Sequence, residues 1–137
     1  MRGTLGLLIA VAVVVGTVDL VHKALAISAS GGAVFVHERS ALYVAGVAAA
    51  SVLWAGAIAR LESASIALAG GLVLGGAFGN LASIALWPSL AGVPDPIVAG
   101  GFAFNMADVA VGLGVVLLFP TSVVFAVRSR ARLSEPV

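Results

Sequence analysis

Cysteine is absent from this chain of 137 residues. That removes disulfides, thiolate metal sites and cysteine nucleophiles in one step. Charge is nearly absent too: Asp, Glu, Lys and Arg make up 9% of the residues, and the net charge is +1. So neutral a chain has no basic stripe with which to grip nucleic acid. The two histidines, His22 and His37, are too few for a histidine-rich metal site, so neither a metal nor a cofactor is expected. What remains is apolar. Hydrophobic residues make up 61% of the chain, and the mean hydropathy is +1.19. A soluble domain has no use for that much apolar surface, so the expected solvent is a bilayer. The length suits a single domain, taken here as residues 1–137.

Four apolar runs are long enough to span, at about residues 4–21, 41–59, 64–87 and 104–127, each near the ~20 residues a bilayer requires. The fold expected is an all-α membrane protein of four transmembrane helices. The first run has a signal-peptide look, with Arg2 ahead of an apolar stretch. It is long for such a segment and ends in Asp19, His22 and Lys23. The nearest small-x-small site, Ala24-Leu25-Ala26, lies in no polar flank. It is therefore read as a retained helix. In the third run Gly71, Gly75 and Gly79 recur every four residues, a stripe that lets a neighbouring backbone come close.

The basic residues orient the helices. With four spans, Arg2, Arg60, Arg128, Arg130 and Arg132 fall on one side, and Lys23 and Arg39 on the other. The arginine-rich side is cytoplasmic by the positive-inside rule, so both termini are expected inside, with a polar, frayed tail after Val127. All three aspartates (Asp19, Asp95, Asp108) and both asparagines (Asn80, Asn105) then gather at the outer face. Polar groups at membrane depth are costly, and their clustering is by default a functional signal. Each also has a plainer reading. Asp108 can cap the fourth helix, and Asp95, between two prolines, can sit in an exposed turn. Asp19 and Lys23 can be an i,i+4 surface pair, and Asn80 can serve helix packing. His37-Glu38-Arg39 reads as a solvated loop.

Several motifs resemble those of the lipoprotein signal peptidase (signal peptidase II) family. G-G-A-F-G-N, residues 75–80, is similar to its G-G-A-x-G-N, and F-N-M-A-D, residues 104–108, to its F-N-x-A-D. V-P-D-P-I, residues 93–97, stands where the family has V-V-D-F-I, and V-D-L-V-H-K, residues 18–23, resembles D-x-x-x-K. The resemblance implies an intramembrane aspartyl endopeptidase of the prokaryotic cytoplasmic membrane. Such enzymes release signal peptides from prolipoproteins just before a lipid-modified cysteine, so the implied partners are that signal peptide and membrane lipid. Asp95 and Asp108 match the catalytic aspartates. Asp19, Lys23, Asn80 and Asn105 match the supporting positions.

The residue types suit that chemistry in their own right. Two carboxyls sharing one proton let one act as base on a water while the other polarises the scissile carbonyl. Asn105 and Asp108, three residues apart, share one helix face. The chain also departs from the pattern. Ser83 and Ile84 stand where the family has Asp-Arg, and His37-Glu38-Arg39-Ser40-Ala41-Leu42 replaces N-x-G-A-A-F. The first outer loop, Lys23 to Ser40, is short for a sheet-like platform. A second reading follows from these changes: a relative without catalysis that binds lipoproteins or lipids, or serves as a small subunit of a membrane complex.

The arginine asymmetry gives a topology test. A cysteine at Ser89 is expected to react with an impermeant thiol reagent in intact cells, and one at Ser134 only after lysis. Labelling of Ser134→Cys from outside rules out four spans with both ends inside.

Overall fold

A computed structural model describes residues 2–133. It is mostly helical. Helices α1 (Arg2–Ala29), α2 (Ala41–Arg60), α3 (Ala64–Leu86) and α4 (Met106–Leu133) are each long and apolar enough to cross a bilayer. Exposed Val13, Val14, Leu53, Val116 and Phe119 cover their outer surfaces. Water would penalise that surface and lipid does not.

Near one end of the bundle, Leu8 of α1 clusters with Ile58 of α2 and Ile66 and Ala67 of α3, and Leu118 and Phe125 of α4 pack against them. The polar residues of α1, α3 and α4 meet at the other end. Successive helices therefore run in opposite directions. The central helix is α3. Its glycine stripe faces α1: a Cβ on Gly75 would lie 2.6 Å from Val15 Cβ and 2.8 Å from the Ala12 carbonyl oxygen. On another face, a Cβ on Gly76 would sit 2.5 Å from the Ala107 carbonyl oxygen of α4. Without side chains at these crossings, backbones approach closely and dispersion contacts replace the hydrophobic drive that lipid does not provide.

The structure corrects the sequence reading at several points. The fold is not purely α-helical. Strand β1 (Phe35–Glu38) pairs antiparallel with β2 (Gly92–Asp95), and β3 (Ile97–Ala99) pairs with β4 (Phe102–Phe104). The short first loop thus does build one strand of a small platform. The β3–β4 turn is Gly100-Gly101, with φ of 58° and 82°, values that suit a tight hairpin and that side chains disfavour. Phe104 belongs to β4, so α4 starts two residues later than expected, and it continues through the anticipated frayed tail to Leu133. Residues 128–133 contain neither Gly nor Pro to stop it. Ser134 lies outside the described residues.

The first helix also overruns its expected end by eight residues, to Ala29. Asp19 and Lys23 do not end it because they satisfy each other inside the bundle. Gly31 and Gly32, at φ 62° and 92°, end it instead. Serines start α2 and α3. Ser40 Oγ accepts from the Tyr43 amide at 3.2 Å, and Ser63 Oγ from the Ile66 amide at 3.4 Å.

The glycine crossings predict an asymmetric response to added bulk. Gly75→Val is expected to destabilise the bundle by about 1–3 kcal/mol through overpacking against α1. Gly112 has nothing within 4 Å of a built Cβ, so Gly112→Ala is expected to stay within about 0.5 kcal/mol of wild type. Thermal unfolding in detergent, followed by circular dichroism, compares the two. Equal midpoints would rule out the close α1–α3 crossing.

Candidate functional site

The site grows from a lysine with no exposure at all. Lys23 lies on the face of α1 turned to the bundle, and its side chain is 0% exposed. A buried ammonium needs acceptors for its protons. Asp19 Oδ2, one turn back, forms an ion pair with Nζ at 2.7 Å. Asn80 Oδ1 of α3 accepts at 2.8 Å, and Ser83 Oγ at 3.5 Å. Ser83 in turn donates to the Asn80 carbonyl at 2.8 Å. The pair is therefore no surface pair worth a few tenths of a kcal/mol, and loss of either member would strand a buried charge.

Asp19 also reaches α4. Its Oδ1 accepts from the Ala107 amide at 2.9 Å, one of the free N–H groups of that helix's first turn. Asn105 and Asp108 satisfy others reciprocally. Asn105 Oδ1 accepts from the Asp108 amide at 3.1 Å, and Asp108 Oδ2 accepts from the Asn105 amide at 3.1 Å. This is a capping box, with Asn at the N-cap and Asp three residues on. The plain reading of Asp108 as a helix cap is correct for one of its oxygens. The other, Oδ1, accepts from Asn80 Nδ2 at 3.2 Å.

Asp95 is the last residue of β2 and not an exposed turn residue; it is 2% exposed. Asn105 Nδ2 donates to Asp95 Oδ1, and also contacts the Pro94 carbonyl at 3.4 Å. Asn105 thus contacts both carboxyls, that of Asp95 through its side-chain amide nitrogen and that of Asp108 through its backbone N–H. His37 Nδ1 meets the second oxygen, Asp95 Oδ2. All six residues singled out from the sequence, Asp19, Lys23, Asn80, Asp95, Asn105 and Asp108, fall in one connected network. His37 and Ser83 are the additions. The sequence signal for His37 was the pattern F-V-H-E opposite G-V-P-D, two short segments able to pair, which the loop reading passed over. Ser83 was noticed only as the residue in place of an aspartate.

Asp108 is exposed and Asp95 is not. Asp108 and Asn80 line a cavity of about 230 Å³ whose walls include Tyr43 and Val47 of α2, Val73, Ala77 and Ile84 of α3, and Val93 of β2. A second, apolar cavity of about 360 Å³ shares Val47, Val73 and Ala77 with it and runs on past Ser51, Trp54 and Val115. Together they form a groove between α2 and α4 floored by α3, with the Asp108 carboxyl near the strands and a wall beyond that is apolar but for Ser51. Asp95 does not line the first cavity, whereas Val93, two residues before it on β2, does.

Two carboxyls bound by one asparagine, with a buried ion pair behind them, stand at one end of an apolar groove. No curated protein and no solved structure matches the chain. A protein-family model does: that of signal peptidase (SPase) II, over residues 11–124. That match takes in α3, all four strands and both candidate aspartates, and so the chain belongs to the signal peptidase II family.

Proposed function

We propose that this protein is a lipoprotein signal peptidase that cleaves by an aspartic dyad, Asp95 and Asp108. The family supports the role of signal peptidase for lipid-modified prolipoproteins. The observation that carries the dyad is Asn105, whose side chain and backbone bind both carboxyls at once. Such a clamp brings two carboxyls to one residue through two separate N–H donors.

The groove supplies the rest of the reading. An apolar signal helix lies between α2 and α4, along Val47, Val73 and Val115. Its cleavage site comes up to Asp108 at the polar end, where the helix meets β2. One aspartate takes a proton from the attacking water while the other, protonated, polarises the scissile carbonyl and then donates to the leaving amine. Asn80 and Asn105 hold Asp108 in orientation, and Asp19 with Lys23 holds Asn80 and the start of α4. The site faces outward from the prokaryotic cytoplasmic membrane and both termini face the cytoplasm, a reading that the arginine distribution supports.

Cleavage of a lipid-modified prolipoprotein by purified protein in nanodiscs tests the reading. Asp95→Asn and Asp108→Asn are each expected to lower kcat by about a thousandfold or more with the fold intact, since the members of a catalytic unit cannot replace each other. Asn80→Ala and Asp19→Asn are expected to lower it by about ten- to a hundredfold, because they orient the reacting groups and do not react. Wild-type cleavage by either aspartate variant, or full complementation by the double variant in cells, would leave a binding or scaffolding role and no protease.

A further inference from the structure

The dyad reading leaves one polar contact unused, and it falls on Asp95. Strand β1 pairs with β2 so that Phe35 lies opposite Asp95 and His37 opposite Val93. Residues opposite or two apart share one face of a ladder. Phe35, His37, Val93 and Asp95 therefore all project to the same side, and His37 is the diagonal neighbour of Asp95. The register alone brings an imidazole to the carboxyl, and its Nδ1 meets Oδ2 there. The ring is held from a second direction: the Phe35 ring meets it edge-on, with centroids 4.9 Å apart and planes at 65°. His37 is 42% exposed and Asp95 2%. The imidazole therefore covers the carboxyl from the solvent side while remaining wet itself.

We propose that His37 is a positioning residue for Asp95, the third member of an Asn105–Asp95–His37 arrangement. The proposal rests on the dyad reading. A carboxyl at the end of a side chain rotates freely about its last bond unless both oxygens are held. Asn105 holds Oδ1 and His37 holds Oδ2, so the plane of the carboxyl is fixed before substrate arrives. The backbone adds rigidity, because Asp95 lies between Pro94 and Pro96, whose φ angles are ring-locked. Asp108 is fixed differently, by its own helix start and by Asn80. The two carboxyls share Asn105, but His37 touches Asp95 alone, so removing His37 loosens one and leaves the other. Neighbouring Glu38 and Arg39 do not share this role. Arg39 turns to stack on the Tyr43 ring, 4.7 Å from its centroid, and Glu38 projects to the opposite face of the ladder.

The test compares His37→Ala with His37→Asn, whose amide nitrogen takes the place of Nδ1. Full-length protein in nanodiscs is assayed on a lipid-modified prolipoprotein. His37→Ala is expected to lower kcat by about ten- to a hundredfold, the loss typical of a hydrogen bond to a charged group, and to change KM by less than about twofold. His37→Asn is expected to recover most of the lost kcat. A second readout does not depend on turnover. With ¹⁵N-labelled histidine, the Nδ1 resonance of His37, identified by its loss in His37→Asn, is expected to move in Asp95→Asn and to stay put in Glu38→Gln. Unchanged kcat in His37→Ala, failure of His37→Asn to rescue, or a resonance indifferent to Asp95→Asn would each overturn the proposal. A wild type that cleaves no prolipoprotein would instead overturn the dyad reading, and the resonance would still decide whether His37 holds Asp95.

Discussion

A buried ammonium sets the terms for this bundle. Lys23 is closed off at the junction of α1, α3 and α4, where an unpaired charge would cost several kcal/mol. Its partners come from two helices, Asp19 from its own and Asn80 and Ser83 from α3. Asp19 in turn holds an amide of α4. The approach of α1 to α3 that this demands is available only because Gly71, Gly75 and Gly79 carry no side chains. A Cβ on Gly79 would lie 2.6 Å from Asp19 Oδ2 itself. The packing stripe and the polar network are therefore one construction: the glycine that lets α1 in is the glycine beside which the carboxylate sits.

The start of α4 then serves two ends with one set of atoms. Four N–H groups at a helix start need partners. Here Asn105 and Asp108 cap each other, and Asp19 takes a further amide. Those same side chains have a free oxygen or nitrogen left, and these bind Asn80 and Asp95. A capping residue is rigid because its partner is backbone. A carboxyl that must stand at a fixed angle to another gains from being built on such a cap, which explains why a site of this kind sits at a helix end and not mid-span.

Much of this was legible in the sequence. Length and apolarity gave four spans, and the spacing of Asp19, Asn80, Asn105 and Asp108 along them put those residues at one end of the bundle. The four-residue repeat of glycines gave the close helix crossing. What escaped were features decided by pairing at long range. Residues 35–38 and 92–95 are four-residue segments with Pro94 in one of them, too short for period-two alternation to stand out. They become strands because each supplies the other's partners across 57 residues or so of sequence. The overrun of α1 escaped for a related reason: Asp19 and Lys23 read as the polar edge of a span, and only α3 and α4 make them interior.

The same distinction explains the substitutions at residues 83 and 84. In place of an aspartate, Ser83 sits against Lys23 with its hydroxyl committed to the Asn80 carbonyl. Lys23 already has the Asp19 carboxylate, so a neutral acceptor completes its shell without a second negative charge in a closed space. Ile84, in place of an arginine, lines the cavity beside Asp108. There an apolar side chain removes a cation that would compete with Asn80 for the carboxyl. The two residues together keep the buried lysine supplied with an acceptor and the cavity wall beside Asp108 apolar. Lys23 thus keeps a full set of acceptors, Asp19, Asn80 and Ser83, with only one of them charged.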